Sequence, residues 1–171
     1  MKSLKINKTA ILGFGNPVRS DDAVGCEVIR LLKEKLEPVP EDLTIIDMGT
    51  SAFEVLFSLK NHDRILLIDG VINSGHEDGS LFKLPALEIQ SSIQEDPMVF
   101  LHSLKWDQAL SYAKKIMQDD FPEDEIMVYL VSITDTKLKV GMSPTIEKAA
   151  HLLCDKIISD LELCDKNGKS F

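Results

Sequence analysis

At 171 residues and 44% hydrophobic content, the chain is long enough for a single domain with a sizeable core, with residues 165–171 expected to fray as a tail. Nineteen basic against twenty-eight acidic side chains leave a net charge of −9, which repels phosphate backbones; without a basic stripe or an aromatic platform, nucleic acid is not an expected partner. No apolar run approaches the ~20 residues that span a bilayer, and MKSLKINKTA lacks an apolar signal core, so the expectation is a cytoplasmic protein with no membrane contact.

Residues 8–14, KTAILGF, read as a buried first strand, and residues 22–36 as a helix with Val24, Val28, Leu31 and Leu32 on one face, stopped by Pro38 and Pro40. Residues 43–48 read as a second strand. Ser51 and Glu54 have the spacing of a capping box, in which each side chain satisfies an orphan helix amide, so a short helix to about Leu59 is expected. RILLID, residues 64–69, is a nearly continuous apolar run ending in an acid, as suits a central parallel strand covered on both faces. Residues 80–84 form a further candidate strand. Residues 85–103 lack periodicity and read as a long functional loop. A helix over 104–117 with Ser103 as N-cap, a strand over 126–133 and a last helix from Ser143-Pro144 to about Leu163 complete the order. The alternation predicts an α/β three-layer sandwich: a twisted, mostly parallel central sheet flanked by helices. Ligands in such folds bind beyond the carboxyl ends of the strands.

The loop GFGNPVRSDDAVG, residues 13–25, lies at that edge. A dinucleotide loop needs a third glycine three residues after the second, but Val18 stands there. Asp21 and Asp22 occupy the place where a pyrophosphate would meet the helix N-terminus, and their charge is wrong for it. The charge suits a cation instead. Asp22 after the first strand and Asp69 at the end of the third reach the same sheet edge, where two carboxylates and an imidazole could hold a divalent ion. The pair Asp21-Asp22 also reads simply as helix-start acids, and Asp69 or Asp47 as turn acids; only their joint placement raises the metal reading. Among the histidines, His62 lies at the strand-start side and His151 inside the last helix. Spacing alone leaves His76 and His102 open as the third ligand.

No GxSxG elbow, HExxH helix or Walker loop is present. Cys26, Cys154 and Cys164 form neither a CxxC pair nor an even disulfide set, and read as small buried helix thiols. The sequence offers no recognisable activated nucleophile.

Four stretches resemble one known family. ILGFGNPVRSDDAVG, DMGTSAFEVL, RILLIDGVINSGHEDGSLFKL and VGMSPTIEKAAHLL are similar to the motifs of the nickel-iron hydrogenase maturation endopeptidases, aspartic-type proteases that trim the C-terminus of the hydrogenase large subunit. Gly70 replaces the usual alanine after the strand acid, and HEDGS keeps the glycine of the family turn without its proline. The resemblance implies that Asp22, Asp69 and His102 are the metal ligands and catalytic set, with Asp47 a further acid near the site. It implies nickel as the metal, supplied by the large-subunit precursor, with another divalent ion able to occupy the site in isolation. A monomer is expected, because the substrate is itself a large protein. A nickel-sensing or escort protein, or a different metal-dependent hydrolase, is the alternative.

Overall fold

The computed structural model describes residues 7–51, 54–86, 88 and 105–167. Five strands form one sheet in the order β2-β1-β3-β5-β4, where β1 is Thr9–Phe14, β2 Leu43–Gly49, β3 Arg64–Val71, β4 Leu81–Pro85 and β5 Ile126–Ser132. The first four strands in that order run parallel, and β4 closes the edge antiparallel to β5. The helices are α1 (Val24–Lys35), α2 (Val55–Asn61), α3 (Lys105–Met117) and α4 (Pro144–Asn167).

Strand alternation sorts the core into two layers. Ala10, Leu12, Ile65, Leu67, Val128 and Leu130 pack against Val55, Leu59, Trp106 and Leu110 of α2 and α3. Ile11, Leu66, Ile68, Tyr129 and Val131 pack against Val28, Leu32, Ile146 and Leu153 of α1 and α4. Apolar residues on both faces of β1, β3 and β5 are what a parallel sheet covered by helices demands. The expected sandwich is therefore present. No helix among the described residues is long and apolar enough to cross a membrane.

From β1 the chain crosses through α1 to β2 on one side, then through α2 back past β1 to β3 on the other. The direction of winding thus reverses at β1, and a crevice opens between the carboxyl ends of β1 and β3. Gly25 lets α1 approach that crevice: an added Cβ there would run into the carbonyl oxygen of Phe14 on β1 and lie 2.8 Å from that of Ile68 on β3.

Three boundaries differ from expectation. The stretch Ser20–Ala23 is a 3-10 turn rather than the first turn of α1, entered through Ser20 at φ +53°. Ser51 supplies no side-chain cap to α2; its carbonyl oxygen accepts the Glu54 N–H at 3.3 Å, and the helix starts at Val55. Helix α4 continues to Asn167, because no glycine or proline stops it before Gly168. The expected Ser103 cap and most of the long loop lie outside the described residues.

Candidate metal-recognition site

Asp69 ends the continuous apolar part of β3 and is 5% exposed. Its carboxylate accepts two hydrogen bonds, from the Gly70 N–H at 2.8 Å and from the Trp106 indole N–H at 3.1 Å. Trp106 is fully buried on α3. Burial pushes the Asp69 pKa well above the usual carboxylate value; the charge of Asp22 pushes the same way, and the two hydrogen bonds only partly offset them. Asp22 is half-buried in the 3-10 turn. The turn is shaped by backbone bonds: Asp22 N–H donates to Arg19 O at 3.1 Å, and Asp22 O accepts from the Asn16 N–H at 3.2 Å. A Cβ on Gly15 would collide with Asp22 O, so glycine is needed where the loop folds back on itself.

Asp47 lies on β2, paired with Gly13 of β1, and is exposed at the same end of the sheet. One of its oxygens accepts the Gly49 N–H at 2.9 Å. Cys26 of α1 stands among the three acids. Its Sγ is 3.6 Å from Gly15 O and within hydrogen-bond reach of Asp47. Burial, the Asp47 hydrogen bond and the negative charges of Asp47, Asp69 and Asp22 push its pKa up to about 12. At neutral pH it is a thiol, and a thiol is a poor nucleophile.

The neighbouring acid does something else. Asp21 is 1% exposed and grips the start of α4: it accepts the Ser143 N–H at 2.7 Å and the Ser143 hydroxyl at 3.1 Å. Ser143 in turn caps the helix, its oxygens accepting the N–H groups of Ile146 and Glu147. Asp21 is therefore a tie between the first loop and the last helix.

The histidines separate cleanly. His62 bridges Ser58 O at 3.0 Å and Thr44 Oγ1 at 2.9 Å, joining α2 to β2 away from the acids. His76 stands edge-on to Phe82, ring centroids 5.1 Å apart, and His151 is exposed on α4. Among the described residues no three of His, Cys, Asp and Glu gather closely enough to hold a metal ion, so His76 does not complete a set with Asp22 and Asp69. His102 lies outside the described residues, three positions before α3 begins and four before Trp106.

The hydrogenase maturation protease family model matches residues 26–160. The chain belongs to that family. The hydrogenase 2 maturation protease of Escherichia coli K12 is 23% identical over 153 residues, spanning 88% of each chain. Among solved structures, the hydrogenase maturating endopeptidase of E. coli superposes with a TM-score of 0.74 at 22% identity, covering 91% of this chain and 92% of the other. The nickel-iron hydrogenase maturation protease of Thermococcus kodakarensis gives 0.68 at 24%, covering 88% and 90%. Membership makes the chain a peptide-bond hydrolase acting in hydrogenase maturation. Trp106 and Cys26 are the site neighbours that sequence reasoning missed as such, and Asp21 is the acid whose task only the fold reveals.

Proposed function

We propose that this protease removes the C-terminal extension of a nickel-iron hydrogenase large-subunit precursor, and that it recognises the nickel carried by that precursor through Asp22, Asp69 and His102. One observation carries the reading. Two carboxylates converge at the switch point of the sheet, and the charge of Asp22 joins burial in raising the pKa of Asp69. A divalent cation entering between them would offset that repulsion and favour the charged form of Asp69.

Hard carboxylate oxygens and an imidazole form a donor set suited to a borderline ion such as Ni²⁺. The ion belongs to the substrate, so its presence would report that the precursor is ready for cutting. Asp69, held by Gly70 and Trp106, offers an oriented oxygen; Asp22 offers a second from a turn with fixed backbone geometry. The cation at that place can polarise a scissile carbonyl or lower the pKa of a water, which supplies the activation that no protein nucleophile here provides. Asp47, exposed beside Cys26, is placed to accept a proton from such a water. The reading takes the protein to act as a cytoplasmic monomer.

Intact-mass spectrometry of the precursor from the same organism tests this. Loss of one defined C-terminal peptide from nickel-loaded precursor, and none from the nickel-free form, is the expected result. Equal cutting of both forms would overturn nickel recognition. No cutting of a folded, nickel-loaded precursor would leave a different substrate within the family's chemistry.

A further inference from the structure

The exposed large hydrophobic side chains of the described residues are not scattered evenly. Of the six, Val18 at 46% exposed, Leu138 at 76% and Val140 at 78% lie on two segments bonded to each other, which together form one ridge. The ridge is built by joining the first loop to the segment after β5. Lys139 N–H donates to Val18 O at 2.9 Å, and Ser20 N–H donates to Lys139 O at 2.8 Å, a parallel bridge between Arg19 and Lys139. The Ser20 hydroxyl donates to Lys137 O at 2.9 Å, and Asp21 N–H to Asp135 O at 3.1 Å. These bonds fix the backbone and leave the side chains outward.

The ridge is also basic. Arg19, Lys137 and Lys139 are exposed and make no ion pair among the described residues. Asp135, the closest acid in sequence, turns an oxygen onto the Lys137 N–H at 3.0 Å. Three unpaired cations interleaved with three apolar side chains stand out on a chain of net charge −9. Solvation accounts for lysines on a surface; it does not account for leucine and valine held rigidly among them. The ridge adjoins the site, because Arg19 O accepts the Asp22 N–H.

We infer that Val18, Arg19 and residues 137–140 form a docking surface for a segment of the precursor rich in acidic and apolar residues, next to the peptide that is cut. This rests on the proposed function. Charge complementarity argues for that occupant: the net charge of −9 disfavours approach of an acidic segment in general, and the cations of the ridge favour it here, so the ridge sets the orientation of approach as well as affinity.

The test uses the full chain and nickel-loaded precursor. Two double variants are made, Lys137→Glu with Lys139→Glu, and Leu138→Ser with Val140→Ser; all four side chains are outward, and unchanged thermal unfolding confirms the fold. Each is expected to raise KM about tenfold with kcat within about twofold, and the charge variant to lose most of the salt dependence of KM. An unchanged KM in both variants overturns the docking surface. Precursor affinity is measured in parallel in the Asp69→Asn background, where cutting is slowed about a hundredfold or more. If the wild type binds the precursor without cutting it, the cleavage reading fails and the same affinity comparison still decides the surface. If the wild type does not bind it, the surface as assigned fails too.

Discussion

Asp21 and Asp69 are both buried aspartates at the carboxyl edge of the sheet, and each accepts one backbone and one side-chain hydrogen bond of nearly equal length: 2.7 and 3.1 Å for Asp21, 2.8 and 3.1 Å for Asp69. By local bonding they are alike. Their surroundings are not. Asp21 meets the N-terminus of α4, whose orphan amides and dipole favour a negative charge. Asp69 meets a second carboxylate, and its pKa is driven up. One arrangement ties the first loop to the last helix. The other holds a charge that the fold resists, as functional sites do when a ligand is to supply the balance.

Neutralising the carboxylate at Asp69 and deleting it at Asp21 breaks the comparison most sharply. Asp69→Asn should lower cleavage of nickel-loaded precursor by about a hundredfold or more, the usual scale for losing a preorganised charge at a reacting centre. Its circular dichroism should remain that of the wild type. Asp21→Ala should do the reverse. It strips the Ser143 N–H and hydroxyl of their acceptor in a part-buried setting, a cost of about 1–2 kcal/mol. Urea denaturation measures that loss. Cleavage per folded molecule should stay within a few fold, and a collapse of activity in folded Asp21→Ala would show that the two acids are not separable.

The pH dependence of stability sharpens the contrast further. The folded pKa of Asp69 lies above its ordinary 3.8, so between those values the folded state binds more protons than the unfolded one. Stability from this group is complete below 3.8 and is lost as pH rises through the folded value. Asp69→Asn lacks that titration. The stability of the wild type relative to Asp69→Asn should therefore fall as pH rises from about 4 toward neutrality, read from urea midpoints across the range. A difference that stays flat or grows with pH would place Asp69 in a favourable, not a strained, setting.

How much of this was legible beforehand depends on where each signal resides. Periodicity and apolar runs belong to single segments, and β1, β3 and β5 stand where those patterns put them, as do the bodies of α1 and α4. The edge shared by Asp22 and Asp69 followed from strand-end positions alone. The division of labour between Asp21 and Asp22 did not, because it depends on Ser143, more than a hundred residues away, reaching the first loop. Cys26 read as an ordinary apolar-face thiol; only the register of β2 against β1 brings Asp47 to it. The count that rejects a dinucleotide loop looks for the helix-packing glycine at Val18. In this fold Gly25, the second residue of α1, performs that close approach instead. The single tryptophan of the chain, four residues after His102, was the available sign that the start of α3 belongs to the site.

Trp106→Phe gives a smaller and more specific effect. Phenylalanine keeps the buried ring and removes one donor to Asp69. That donor lowers the Asp69 pKa, so its loss should raise it further. If cleavage needs the charged carboxylate, the acidic limb of the pH–kcat/KM profile should move to higher pH. A lowered rate with an unmoved limb would reduce Trp106 to packing.

The smallest effect belongs to Cys26. A thiol with its pKa pushed up to about 12, 8% exposed and bonded toward Gly15 O and Asp47, has almost no thiolate at neutral pH. The native protein should leave Cys26 unalkylated by iodoacetamide over a period in which the urea-unfolded chain reacts fully, as peptide mapping would show. Cys26→Ala keeps the close packing of α1 and should keep cleavage within a few fold. Its absence also removes the group that Asp47 holds, which separates two roles for that acid. Unchanged cleavage in Cys26→Ala combined with a large loss in Asp47→Asn would assign Asp47 to the water, because its contact with the thiol would then contribute nothing to the reaction.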